Sequence, residues 1–237
     1  MQNKKLAFGM MRLPQLDDNP EHVDLEKTCE MVDAFLQKGY TYFDTSYVYH
    51  NGKSEEFTRK ALVERHPRES FTLATKLPTW AIKSEEDVKR IFAEQLQNCV
   101  VDYFDYYLVH NLNSGFYDNI VTPYHIFEIL SEYKKEGKIK HLGFSVHDAP
   151  EFLERILNEH PEVEFVQIAF NYYDYSAAWV QSKKCYDIIR RHGKLVNIME
   201  PVKGGMLTYP PKALFEQMQA KRPGMTPTAW ALRFAAD

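Results

Sequence analysis

The sequence predicts an α/β fold, a (β/α)8 TIM barrel, on three observations. Short runs rich in aromatic and β-branched residues alternate with longer segments of helical spacing, which is the mark of βα units on a parallel sheet. A polar residue recurs at the C-terminal end of successive runs, at Asp44, Lys76, His110, Ser145, Asn171 and Glu200, at intervals of 26 to 35 residues. No Gly-x-Gly-x-x-Gly or Gly-x-x-x-x-Gly-Lys loop follows the first run, as an open doubly wound sheet would require. An open sheet concentrates its site at one switch point. A barrel gathers the C-terminal ends of all its strands around one mouth, and the recurring polar residues fit that plan.

The strand-like runs, in order, are KLAFGM, YTYFDT, FTLATK, YFDYYLVH, KIKHLGFS, EFVQIAFN and KLVNIME. Between the first two, Leu25, Cys29, Val32 and Leu36 share one helical face, and Gly39 supplies the usual stop. After the third run, Ser84 and Asp87 form a capping box ahead of the stripe Val88, Ile91, Phe92, Gln95 and Leu96. Seven strands are used by Met199. Residues 201–225 read as a loop, and a helix opens with Thr226 as N-cap and Pro227 at its first position. The expected organisation is one barrel domain over residues 1–237, C-terminally truncated, with its last βα unit missing. A barrel short of a stave exposes two strand edges, which proteins avoid. The candidates are a truncated piece, a longer native chain, or completion by a neighbouring chain.

Composition narrows the function. Hydrophobic residues make up 44% and charged residues 26%, and the formal charge of −4 comes with no basic cluster, so neither nucleic acid nor a membrane is an expected partner. Cys29, Cys99 and Cys185 are far apart and read as reduced thiols, without disulfide or metal knuckle. No apolar signal region opens the chain, and a cytoplasmic location is expected. Nothing in the sequence sets an oligomeric state.

The chemistry lies in Asp44, Tyr49, Lys76 and His110. A tyrosine alone, with a pKa near ~10, is a poor acid at neutral pH. An adjacent ammonium stabilises the phenolate. A carboxylate locates the ammonium, and a histidine can donate a hydrogen bond to a carbonyl oxygen or relay a proton. Gathered at one mouth, these four would protonate an oxygen that turns negative as a carbonyl is reduced, with no metal required. The hydride must come from a cofactor, because no side chain supplies one.

These residues stand in motifs that resemble the aldo-keto reductase family. FDTSYVYHNGKSEE is similar to its Asp-Thr, tyrosine and Gly-x-Ser-Glu signature, LATKLP to its lysine strand and DYYLVHN to its histidine strand. KIKHLGFSVHD, VQIAFN and MEPVKGGML resemble, in the family's order, the strands and loop that hold the nicotinamide and the pyrophosphate. The resemblance implies Tyr49 as general acid, Lys76 as its partner, Asp44 as the partner of the lysine, and His110 as the group that orients the carbonyl. It implies Ser145 and Gln167 at the nicotinamide carboxamide, and Pro201, Gly204, Gly205 and Leu207 along the pyrophosphate. Trp80, close behind Lys76, is assigned to the substrate pocket wall. The implied cofactor is NADP(H) in preference to NAD(H), and the implied substrate a small aldehyde or ketone.

The chain departs from the family pattern at Val146, where an asparagine often follows the serine, and at Met199, where a tyrosine usually stacks on the nicotinamide. The segment that grips the adenosine phosphate would follow the eighth strand. FGMMRLP, GFSVHD and EPVKGG are most similar to a bacterial subgroup whose longer members carry a C-terminal iron–sulfur module, whose cysteines would lie beyond Asp237. His141 and His147 are expected to be structural or solvent-facing, and Glu200 to sit in a loop ion pair. Two other classes compete. A non-catalytic nicotinamide-sensing barrel would keep cofactor binding without turnover. A metal-dependent hydrolase would use His110, His141, His147 and Asp44, but the paired ligand spacing it needs, such as His-x-His, does not occur.

Overall fold

A computed structural model describes residues 4–236; Met1–Asn3 and Asp237, the ends of the expected domain, lie outside the described residues. The described chain falls into two compact units, residues 4–145 with 162–164, and residues 146–161 with 165–236.

All seven expected strands are present. They are β1 (Ala7–Gly9), β2 (Tyr42–Asp44), β3 (Thr72–Pro78), β4 (Phe104–Leu112), β5 (Ile139–Val146), β6 (Phe165–Ala169) and β7 (Leu195–Met199). In the first unit the strand order follows the chain, β1-β2-β3-β4-β5. Its first four strands pair in parallel, with Asp44 opposite Ala74, Lys76 opposite Leu108 and Pro78 opposite His110. The helices are α1 (Leu25–Gln37), α2 (Ser54–Thr58), α3 (Glu85–Cys99), a single turn α4 (Ser114–Phe116) and α5 (Ile126–Lys135). α3 starts as its sequence requires: the Ser84 hydroxyl accepts from the Asp87 N–H at 3.3 Å, and Val88, Ile91, Phe92 and Gln95 are buried. The Asp87 carboxylate reaches back to the Lys83 N–H at 3.0 Å, one residue before the cap. Every residue of β3 after Thr72 is buried, and Phe43, Leu73, Tyr107 and Leu108 are fully so. A strand buried on both faces reads as a continuous apolar run rather than an alternation.

In the second unit β6 and β7 pair in parallel, with Gln167 opposite Asn197. Here the helices are α6 (Pro150–Glu159), α7 (Ser182–Arg191), α8 (Lys212–Lys221) and α9 (Pro227–Ala236). α9 is capped as expected, the Thr226 hydroxyl accepting from the Ala229 N–H at 3.1 Å. Phe234 of α9 stacks on Phe170, ring centroids 5.8 Å apart. The reading of residues 201–225 as a loop is corrected by α8. That helix buries only Met218, so its sequence carries no apolar stripe to announce it. No helix of the described residues is long and apolar enough to cross a membrane.

At the opposite ends of β3 and β4 from the polar residues of interest, Asp105 gathers the Leu73 N–H at 2.9 Å, Arg68 at 2.6 Å and Lys140 at 2.9 Å. Burial tends to raise its pKa, but these three partners outweigh burial and hold the carboxyl below the ordinary value. A depressed folded-state pKa contributes stability above the unfolded value of about 3.9, which is lost as pH falls through the folded value. Asp105→Asn should therefore lower stability at neutral pH by about 1.5–3 kcal/mol or more, the worth of a charge-assisted hydrogen bond. The deficit should shrink as pH falls below about 4 in urea titrations at several pH values; a deficit independent of pH would refute this assignment.

Candidate active site

β3 carries Lys76 into the first unit's interior, where the side chain is only 1% exposed. An ammonium so deeply placed needs a counter-charge and hydrogen bonds. Both come from the neighbouring strand end: Nζ donates to Asp44 Oδ1 at 2.5 Å and to the Thr45 carbonyl at 2.7 Å. Burial by itself would lower the lysine pKa. The charges and hydrogen bonds of Asp44 and Tyr49 outweigh it and hold Lys76 above its ordinary value, so the group stays charged. Nζ lies 4.8 Å from the centroid of the Tyr49 ring.

Tyr49 follows β2 in a tight turn. His50, Asn51 and Gly52 take φ of 51°, 54° and 86°, three successive residues in the left-handed region. Glycine tolerates that conformation, and the other two need external support. The His50 ring, 7% exposed, sits between two backbone carbonyls, with Nδ1 2.7 Å from Pro20 O and Nε2 2.9 Å from Met10 O. The Tyr49 and His110 rings meet edge to face at 5.9 Å. Trp80, in the turn after β3, lies 5.1 Å from the His110 ring and is 42% exposed. The first unit thus brings together Asp44, Tyr49, Lys76, His110 and Trp80, five residues named from sequence. Ser145, at the end of β5, is buried and its oxygen accepts from the Asn111 N–H at 2.8 Å. Its own hydroxyl hydrogen is left to donate.

Beneath Lys76 runs a buried polar network that the sequence did not announce. Gln95 of α3 donates to the Lys76 carbonyl at 3.0 Å and to Glu55 at 2.8 Å, and accepts from the Tyr107 hydroxyl at 2.5 Å. Glu55 also accepts from Thr75 at 2.7 Å and Asn98 at 3.1 Å. Burial pushes the Glu55 carboxyl above the ordinary range, opposed by those hydrogen bonds and by the Lys76 charge. The final Glu-Glu of the motif that contains Tyr49 was the available signal, but a second acid in a helical start reads as a surface residue.

In the second unit Gln167 of β6 is 7% exposed. Pro201, Gly204, Gly205 and Leu207 lie in the turn after β7, where Glu200, Lys203, Gly204 and Gly205 all have positive φ, from 48° to 97°. A Cβ added at Gly205 would meet nothing within 4 Å, so the backbone there is bare. Leu207 is buried at 5% exposure and anchors the turn. The Asp174 carboxylate, 1% exposed, accepts from Lys203 Nζ through both oxygens at 2.7 Å, and Asn171 ties Asp174 to the Glu200 carbonyl at 2.8 and 3.1 Å. Among the described residues no ion pair reaches the Glu200 side chain, which corrects the expectation for that residue; its backbone does the work instead. His141 pairs with Glu164 at 2.8 Å, and His147 is exposed. Among the described residues no three His, Cys, Asp or Glu side chains are placed to hold a metal ion.

The first unit thus sets a strand-end acid against a buried lysine, with a tyrosine and a histidine beside it. The model of the aldo/keto reductase family matches residues 5–237, and the chain belongs to that family. A probable aldo-keto reductase of Glycine max is 30% identical over 178 residues, covering 70% of this chain and 48% of the relative. The NADH-specific methylglyoxal reductase of Escherichia coli is 26% identical, over 75% of this chain and 58% of its own length. This chain thus spans about half to three-fifths of the length of those relatives. A holo-form aldo-keto reductase from Bacillus halodurans superposes with a TM-score of 0.71 at 25% identity, over 87% of this chain and 65% of the other. One from Klebsiella pneumoniae in complex with NADPH gives 0.72 at 19% identity, over 94% and 74%. The fold is accordingly that of the family's (β/α)8 barrel, seven of whose strands lie among the described residues.

The second unit's turn depends on one ion pair. Lys203→Met would leave the Asp174 carboxylate buried without its cation, a loss of about 3–5 kcal/mol. The measurement is the denaturant midpoint together with amide exchange over residues 200–208, which should speed up first. Unchanged exchange there would show that the turn holds without the pair.

Proposed function

We propose that this chain binds a reduced nicotinamide dinucleotide, NADP(H) in preference to NAD(H), and reduces a small aldehyde or ketone to an alcohol. The observation that carries the reading is the buried Lys76 ammonium, bonded to Asp44 and lying against Tyr49. In this reading Tyr49 is the general acid, and its hydroxyl proton passes to the carbonyl oxygen. As the proton leaves, the Lys76 ammonium stabilises the phenolate, and Asp44 keeps the ammonium charged and in place. His110 directs a hydrogen bond to the same oxygen, and Trp80 forms part of the pocket wall. The bound cofactor supplies the hydride.

The residues present fit that cofactor. In the first unit Ser145 retains a hydroxyl hydrogen for a carboxamide oxygen; the assignment of Gln167 to the nicotinamide rests on the family resemblance alone. The bare backbone at Gly205, next to Gly204 in the same positive-φ turn, with Pro201 before it and Leu207 buried after it, suits a pyrophosphate that needs N–H groups at close approach. The names of the Escherichia coli relative, a methylglyoxal reductase, and of the NADPH complex from Klebsiella support a nicotinamide dinucleotide and a carbonyl substrate. The first of these uses NADH by its name, and the preference for NADP(H) rests on the family resemblance. One barrel domain over residues 1–237 belongs to the same reading, supported by the family match over residues 5–237, and a cytoplasmic location is part of the proposal.

The test starts with a fluorescence titration of the chain with NADPH and NADH, followed by turnover on a panel of aldehydes and ketones. Tyr49→Phe should lower kcat by about 10²–10⁴-fold while NADPH affinity is nearly unchanged. Retention of most of the activity in that variant would sink the assigned role of Tyr49. Saturable cofactor binding without turnover on any carbonyl would favour the nicotinamide-sensing alternative.

A further inference from the structure

Ser46, two residues past Asp44, is fully buried. Its Oγ lies 3.1 Å from His110 Nδ1, and among the described residues this is the one hydrogen bond its hydroxyl makes. Neighbouring groups are committed elsewhere. The Ser46 carbonyl accepts from the Tyr49 N–H, the Thr45 hydroxyl pairs with Ser54 at 2.8 Å, and Thr79 donates to the His110 carbonyl at 2.9 Å. The His110 ring is flanked by Tyr49 and Trp80, which fix its plane.

A serine hydroxyl has one hydrogen to donate, and a buried polar hydrogen without an acceptor is costly. If Nδ1–H donated to Oγ, the Ser46 hydrogen would have no acceptor among the described residues. This would hold for a neutral ring and for an imidazolium alike. If Ser46 donates to an Nδ1 lone pair, both groups are satisfied. A neutral imidazole that accepts at Nδ1 carries its hydrogen on Nε2. We infer that Ser46 is a positioning residue that fixes His110 in the Nε2–H tautomer. In this state His110 is a hydrogen-bond donor from Nε2, as a carbonyl oxygen requires. The opposite tautomer would present an Nε2 lone pair to that oxygen and repel it. The consequence for catalysis rests on the carbonyl-reduction reading above, whereas the tautomer does not.

The experiment is long-range proton–nitrogen correlation NMR on the histidine-labelled chain, at a pH where the rings are neutral, with His110 identified by the signals lost in His110→Phe. The wild-type chain should show a protonated Nε2 and a bare Nδ1 at His110. Ser46→Ala should erase that preference, and its kcat/KM for a reducible aldehyde should fall about tenfold, with NADPH affinity held. Ser46→Cys, whose thiol is a weak donor, should lie between. A wild-type His110 protonated at Nδ1 overturns the inference, as does a tautomer unchanged by Ser46→Ala. Should that variant not fold, the wild-type spectrum alone decides. A chain with the Nε2–H tautomer that reduces no carbonyl would count against the proposed function and leave the role of Ser46 standing.

Discussion

The first unit is organised around a single buried cation. An ammonium 1% exposed is tolerable in a folded protein only when a carboxylate and hydrogen-bond acceptors meet it with good geometry. Lys76 obtains these from Asp44 and the Thr45 carbonyl, which lie where β2 ends. The strand therefore cannot continue past Asp44 as a plain apolar run. The parallel register that places Asp44 opposite Ala74 brings the acid within reach of a lysine two residues further along β3. Gln95, held by Glu55 and Tyr107, fixes the Lys76 carbonyl from below. Backbone and side chain of one residue are thus restrained independently. The proposed role of Lys76 beside Tyr49 calls for such double restraint, because the electrostatic gain falls with distance.

The second unit solves a different problem with the same chemistry. Four residues of its β7 turn lie in the left-handed region, and two of them, Glu200 and Lys203, are not glycine. Each such residue costs on the order of 1–3 kcal/mol unless its surroundings over-determine it. The buried Asp174 supplies that determination through Lys203, and Asn171 extends it to the Glu200 carbonyl. The two lysines therefore play opposite parts. Lys76 is the buried charge that needs support, and its carboxylate supplies it. Lys203 is itself consumed as support, so the turn presents bare backbone rather than an ammonium.

What could be read from the sequence follows from this physics. The strands were legible because their apolar runs are continuous, and the Thr226 and Ser84 caps because cap chemistry is local. Asp44, Tyr49, Lys76 and His110 stood out because a polar group at or just past the end of a buried strand must be met by partners, and a parallel sheet sets such ends side by side. Glu55 and Asp174 did not, since a buried polar side chain on a helix or in a turn has the same local sequence as a solvated one; Gln95 was placed on the buried stripe, but its partners could not be read from the stripe. α8 escaped because helix propensity without an apolar stripe is a weak signal. Glu200 misled because an acid beside a strand end suggests a salt bridge, whereas its contribution is a carbonyl in a left-handed turn. Ser46 is a small residue between an acid and a tyrosine, and its meaning appears only once His110, 64 residues away in sequence, is placed against it.

Tyr49 differs from Asp44, Lys76 and His110 in that it does not stand on a strand, and loops are where mobility concentrates. The proton-donor role proposed for Tyr49 would lose much of its effect if the ring wandered by about an ångström. The turn that follows it removes that freedom. His50 is wedged between the Met10 and Pro20 carbonyls, the Ser54 hydroxyl adds a contact to the same Met10 carbonyl at 3.4 Å, and α2 begins at once. The backbone strain at His50 and Asn51 is the cost of turning the chain within three residues, and those contacts offset it. The loop bearing Tyr49 is thereby tied to the backbone at Met10 and Pro20. That is why a motif of fourteen residues, Phe43 to Glu56, can set the position of Tyr49, its turn and the base of the network beneath Lys76 together.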